Sequence, residues 1–159
     1  MTSADLPAVL AIADRVHVKY PEDDAVVAER QRIYPDGCAV YEVDGKVSAY
    51  TLTHPWHYAK PPELNVMLGR IPEHPSTYYI HDLAFAPEAR GSGAAAAIVQ
   101  EVIAHAGSTG VPNLSLVAVN NSVPFWSRFG FEVVAEPTLA EKLLTYDADA
   151  RFMVRKLRA

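Results

Sequence analysis

The stretch "FAPEARGSGAAAAIVQEVIAHAG", Phe85 to Gly107, constrains the fold of this chain more than any other. A β-rich run, "YYIHDLAFA", leads into it. Beyond it Ala94, Ala95, Ile98, Val99, Val102, Ile103 and Ala106 form one broad apolar face of a helix. Two of the chain's eight glycines lie between strand and helix. Such a turn leaves several N–H groups at the helix start unpaired and pointing one way. With the helix dipole they make an anion site that needs no basic side chain. Small residues also let a helix pack closely on a sheet, so the loop by itself leaves both roles open.

The remaining segments supply a sheet for that helix. Leu6, Val9, Leu10, Ala13 and Val16 have helical spacing, with Ser3 or Asp5 placed to cap the start. Pro21 and Pro35 bracket a second helix on which Val26, Arg30 and Ile33 share a face. In "CAVYEVDGKVSAYTLT" two β-rich runs flank Asp44-Gly45, a hairpin signal, because a type I′ turn needs positive φ at both central residues. A long proline-rich connection, "HPWHYAKPPELNVMLGRIPEHPST", precedes the strand "YYIHDLAFA". After the central helix, "NLSLVAV" reads as a buried strand and "VPFWSRF" as a short helix ended by Gly130. "FEVVAE" and "RFMVRKL" read as closing strands. This order predicts an α/β fold, a single domain over 1–159 with a mixed sheet flanked by helices.

Composition narrows the function. Nineteen acids against fourteen bases give a net charge of −5, which argues against a nucleic-acid partner, since phosphate neutralisation needs clustered Lys and Arg. Apolar runs fall short of the ~20 residues of a membrane span. The N-terminal segment lacks a basic region before its apolar part and does not read as a signal peptide. A cytoplasmic location is the expectation. The lone cysteine, Cys38, reads as a core thiol, and no metal-ligand pattern is present.

The loop is neither G-x-G-x-x-G nor a P-loop, because a third glycine and a G-K-[ST] are both missing. "LAFAPEARGSGAA" instead resembles the pyrophosphate loop of the GNAT N-acetyltransferase superfamily, R/Q-x-x-G-x-G/A. The resemblance continues through "LSLVAVNNSVPFWSRFGFE" and covers Tyr78 to Glu132. It implies a mostly antiparallel sheet splayed between the family's fourth and fifth strands, here "YYIHDLAFA" and "NLSLVAV". Acetyl-CoA would be the co-substrate, with no metal. Its pantetheine would bond to backbone at Leu83, Ala84 and Phe85, and its pyrophosphate to Arg90 and the amides of Gly91, Ser92, Gly93, Ala94, Ala95 and Ala96. Asn120 or Asn121 would contact the pantetheine arm. Many relatives dimerise, so a homodimer is a possible assembly.

The implied reaction moves an acetyl group to a primary amine, which must first lose a proton because an alkylammonium has a pKa near ~10. The thioester oxygen needs a donor, which a strand amide can supply. His81 is the candidate base, two residues before Leu83, where arylalkylamine N-acetyltransferases carry a histidine in a similar strand. Imidazole is suited to that task at neutral pH. Alternation puts Tyr79 on the face of His81 and turns Asp82 away. His54, Trp56, His57, Tyr79 and Tyr146 are candidates for the amine-binding side, while His17 and His105 read as helix-surface residues and His74 as a loop residue. The family's usual tyrosine acid is replaced by Trp126, whose indole N–H is not a useful acid. Ser122, Tyr146 or water would then protonate the thiolate. A non-catalytic acyl-CoA-binding module is the rival expectation.

Overall fold

The computed structural model describes residues 1–158. Six strands make one sheet: β1 (Cys38–Val43), β2 (Lys46–Trp56), β3 (Thr77–Phe85), β4 (Asn113–Ala118), β5 (Glu132–Val133) and β6 (Arg151–Lys156). Their order is β1-β2-β3-β4-β6-β5, antiparallel except for the β3–β4 pair. Asp44 and Gly45 turn the first hairpin with φ of 51° and 77°, as the type I′ turn requires. Five helices accompany the sheet: α1 (Leu6–Val16), α2 (Asp24–Ile33), α3 (Ala94–Ser108), α4 (Val123–Ser127) and α5 (Ala140–Leu144).

The helices divide between the two faces. Val9 and Ile12 of α1 and Val27 of α2 pack with Tyr50, Leu52 and Ala84. On the opposite face Ile98, Val99 and Val102 of α3 pack with Tyr78, Ile80, Leu114 and Leu116. Burying each such aliphatic side chain contributes roughly 1.5–3 kcal/mol relative to leaving it exposed. Cys38 lies in the α1 core, and burial pushes its thiol up to about 11, so it is an inert packing residue.

Three expectations change. β2 runs through His54 and Pro55 to Trp56, which pairs with Thr77, so the long connection begins only at residue 57. The predicted strand "FEVVAE" contracts to two residues, Glu132 and Val133, with one further bond from the Val134 amide to the Phe152 carbonyl of β6 at 3.0 Å. His105, rather than lying free on the α3 surface, bonds the Tyr34 hydroxyl at 2.9 Å and packs on Tyr78.

The long connection is braced from α2. Glu29 is buried at 3% exposure, and its carboxylate accepts hydrogen bonds from the amides of Leu68 (2.6 Å) and Gly69 (3.0 Å). Its neighbour Arg30, also buried, bonds Glu29 and donates to the Val66 carbonyl, both at 3.2 Å. This ion pair holds residues 66–69 against the body of the protein. Removing one partner of a buried pair strands the other charge, at a cost of about 3–5 kcal/mol. Glu29→Ala is therefore expected to lower stability by about that amount and to release the connection. Denaturant melts and limited proteolysis of residues 57–76 check both effects.

Candidate active site

β3 and β4 stay together only briefly. Their parallel ladder joins Tyr78 to Leu114, Tyr79 to Ser115 and Ile80 to Leu116, and then ends. β3 continues to Phe85 and β4 to Ala118 without pairing again. The register of β3 against β2 slips at the same place: Thr53 faces Ile80 and Leu52 faces Asp82, leaving His81 as the extra residue of a bulge. A bulge bends its strand and raises its twist. The splay expected between these strands is present, and it starts at that bulge.

The bulge also shifts the phase of the side chains. Tyr78 and Ile80 face α3, and beyond His81 it is Leu83 and Phe85 that pack on the α3 core, while Ala84 joins the α1 core. His81 and Asp82 thus both face the α1–α2 side. The expectation that Asp82 points away from His81 is corrected, because strict alternation assumes an unbroken ladder.

A cavity of about 70 Å³ opens here, lined by His17, Tyr20, Glu22, Leu64, Tyr79, His81, Asp82, Val117, Val119 and Tyr146. Nε2 of His81 lies 2.7 Å from Oε1 of Glu22, and the imidazole is only 3% exposed. Nε2 of His17 lies 2.7 Å from Oδ1 of Asp82, whose other oxygen accepts the Tyr50 hydroxyl at 2.5 Å. Burial works against a charge on His17, but the hydrogen bond and charge of Asp82 outweigh it and raise its pKa. Burial opposes ionisation of Glu22 as well. The His81 bond, the His81 charge, the Asn65 amide and the Arg30 charge reverse this and hold Glu22 below the usual carboxylate range. Burial pushes the Tyr146 phenol up to about 12 and the adjacent Tyr79 phenol well above its ordinary value, so both keep their protons at neutral pH.

A second pocket of about 240 Å³ adjoins the first. It shares His17, Tyr20, Glu22 and Asp82 with it and adds Asp14. Among the described residues no Lys or Arg lines either space. The Tyr20 hydroxyl bonds Asp147 and the Tyr146 hydroxyl bonds the Pro62 carbonyl, each at 2.6 Å, tying the cavity walls to distant segments.

On the other side of the bulge, β3 offers an open backbone edge. Ala86 donates to Ser48 of β2, so alternation turns the peptide groups of Ala84 toward β2 and those of Leu83 and Phe85 toward the splay. Of the three positions marked for main-chain contacts, Leu83 and Phe85 can make them. The edge leads to the glycine loop, where Gly91 (φ 76°) and Gly93 (φ 81°) adopt left-handed backbone. A Cβ at either would meet no atom within 4 Å, so the space before the loop is open. The amides of Gly91, Gly93, Ala95 and Ala96 have no partner among the described residues, whereas those of Ser92 and Ala94 bond within the loop. Arg90 is exposed beside them. Asn120 and Asn121, both exposed and both left-handed, end β4 across the splay.

Other candidates lie elsewhere. His54 does not line the cavity. Its ring is buried at 1% exposure, bonds the Pro55 carbonyl, and is pushed down by burial to about 3. Trp56 and His57 border a separate open pocket with Leu68, Arg70 and His74. His17, expected on a helix surface, instead ends α1 and turns into the site. Trp126 is buried against Phe131 in the α3 core. Glu22 escaped the sequence reading because nothing in "YPEDDA" distinguishes it from Asp23 and Asp24.

The family model described as "Acetyltransferase (GNAT) family" matches residues 7–131. The chain belongs to that family. Among solved structures, Ard1 from Thermoplasma volcanium is similar over 100% of this chain and 95% of its own, at 18% identity and a TM-score of 0.75. The GphF GNAT-like decarboxylase in complex with isobutyryl-CoA matches 98% of this chain and 96% of its own, at 15% and 0.77. The ribosomal-protein-S18-alanine N-acetyltransferase from Escherichia coli matches 100% and 92%, at 18% and 0.68. These likenesses show a shared fold. No curated protein matches. Among the described residues no group of three His, Cys, Asp or Glu is placed to hold a metal ion, and no helix is long and apolar enough to cross a membrane.

Buried His54 makes the stability of the fold sensitive to acid. The unfolded chain protonates it near ~6.5 while the native state resists until about 3. Between those values the unfolded state binds the extra proton, so stability falls as pH falls, by up to about 1.4 kcal/mol per unit. His54→Leu is expected to lose less stability than the parent between pH 7.5 and 5, as measured by urea denaturation at each pH.

Proposed function

We propose that this chain transfers an acetyl group from acetyl-CoA to a primary amine by direct attack in a ternary complex. One observation carries the reading: the open edge of β3 has the unpartnered loop amides at one end and the His81 cavity at the other. Family membership supports acyltransfer, and the isobutyryl-CoA complex of GphF supports an acyl-CoA ligand for this fold. The loop amides suit a pyrophosphate, and the peptide groups of Leu83 and Phe85 suit the amides of a pantetheine arm.

The reaction would run as follows. His81 takes a proton from the ammonium, leaving a neutral amine. The nitrogen lone pair attacks the thioester carbon, and the C=O π pair moves to oxygen, where a backbone N–H at the bulge is a donor of the required kind. The nitrogen gives up its second proton, the oxyanion collapses and the C–S bond breaks. The thiolate accepts one proton, so one proton is released in the cycle. Tyr146, protonated and in the cavity wall, takes the acid role that Trp126 cannot fill. The rival, a binding module without catalysis, draws support from the burial of Trp126, and CoA release with an amine separates the two.

The walls favour a particular acceptor. With Asp14, Glu22 and Asp82 around the two pockets and no Lys or Arg, a carboxylate beside the reacting nitrogen would lie unpaired among like charges. Amines without that carboxylate are expected to exceed matched amino acids by ~10-fold or more in kcat/KM. Equal rates, or a preference for amino acids, would contradict this choice of acceptor. Two variants separate binding from chemistry. Gly93→Val should weaken acetyl-CoA binding in titration calorimetry, since a branched side chain is strained at φ 81° and crowds the anion. His81→Ala should leave that binding unchanged, lower kcat/KM by ~10²-fold or more, and remove the fall in rate on the acid side.

A further inference from the structure

We infer that Glu22 is the positioning residue of His81: it fixes the imidazole with its proton on Nε2, so that Nδ1 is the nitrogen that receives the acceptor's proton. This rests on the proposed role of His81 and goes beyond it by assigning the reacting atom.

The geometry leaves one arrangement. Oε1 of Glu22 lies 2.7 Å from Nε2 of His81, and an ionised carboxylate only accepts hydrogen bonds, so Nε2 must be the donor. A neutral imidazole then has its lone pair on Nδ1. Nδ1 has no hydrogen-bond partner among the described residues, nor is it one of the buried polar atoms left without a partner. It therefore keeps access to the cavity that His81 lines. When Nδ1 takes the proton the ring becomes an imidazolium, and Glu22 faces that new charge at hydrogen-bond distance.

Glu22 is itself held in place. Its second oxygen accepts the Asn65 amide at 2.9 Å, and Oδ1 of Asn65 in turn accepts the Asp23 amide at 2.7 Å. The α1–α2 connection and the long connection thus lock each other, with the carboxylate between them. The other titratable or charged groups around His81 are Tyr79 and Asp82 of β3, His54 of β2, His17 and Tyr20 of the α1–α2 connection, Arg30 of α2, and Tyr146. Asp82 is engaged by His17 and Tyr50, so Glu22 is the carboxylate bonded to this ring.

Nitrogen-15 NMR of histidine-labelled protein tests the assignment without reference to turnover. Neutral His81 is expected as the Nε2–H tautomer, and an Nδ1–H tautomer in the parent protein would overturn the inference. In Glu22→Gln the ring loses the ionised acceptor that holds its proton on Nε2, so the neutral ring should no longer be confined to the Nε2–H tautomer. kcat should fall ~10-fold or more while acetyl-CoA affinity is unchanged. An unchanged tautomer and an unchanged kcat in a folded variant would also overturn it, and the parent tautomer decides the matter if the variant does not fold. If the parent has the Nε2–H tautomer but His81→Ala keeps its activity, the positioning holds and the base assignment fails.

Discussion

The ladder between β3 and β4 ends because one residue too many stands in β3. With His81 bulged out, β3 cannot stay in step with β2 and alongside β4 at once, and it is the parallel pairing that gives way. That choice is physically reasonable, since β2 and β3 share a long antiparallel ladder whereas β3 and β4 meet over three pairs. The splay, the free peptide groups of Leu83 and Phe85, and the shared face of His81 and Asp82 all follow from the same inserted residue. A strand edge abandoned in this way would normally invite aggregation. Here it lies along the opening between β3 and β4, where the proposed pantetheine arm would complete it.

The cavity at the bulge is assembled from segments far apart in the chain. His17, Tyr20 and Glu22 come from the connection after α1, Leu64 from the long connection, and Tyr146 from the segment before β6. None of these belongs to the sheet, yet His17 and Glu22 bond side chains of β3, and the Tyr20 amide bonds back to His17. The buried Glu29–Arg30 pair serves the same end from below, pinning backbone amides that would otherwise face water. The polar groups around His81 therefore arrive with their orientations set by protein bonds, a condition for electrostatic preorganisation.

Much of this was legible in the sequence, and the gaps have causes. The glycine loop, the apolar face of α3 and the Asp44-Gly45 turn are local devices, and each could be read from its own residues. His81 could be singled out because its strand was already placed. Asp82 could not, since a bulge is a property of two strands in register and leaves no mark in one. Glu22 and His17 were hidden for a related reason. Their partners are dozens of residues away, and within their own segment they look like an ordinary helix end and a solvated acidic turn. His54 failed in the opposite direction: a histidine beside Trp56 suggested a pocket, but β2 continued through it and buried the ring.

The two tyrosine bonds at the cavity walls, Tyr20 to Asp147 and Tyr146 to Pro62, bear on how anything enters a space of about 70 Å³. The neutral Tyr146 bond contributes on the order of 1 kcal/mol net, and the Tyr20 bond to the Asp147 carboxylate about 1.5–3 kcal/mol. An opening that costs only ~1 kcal/mol is populated in roughly one molecule in six at any instant. Admission is then a matter of occupancy statistics rather than of a moving part: an incoming amine finds the unlatched minority already there. Warming widens that minority long before it touches the sheet, so the protein's willingness to admit a guest and its integrity as a fold are set by different energies.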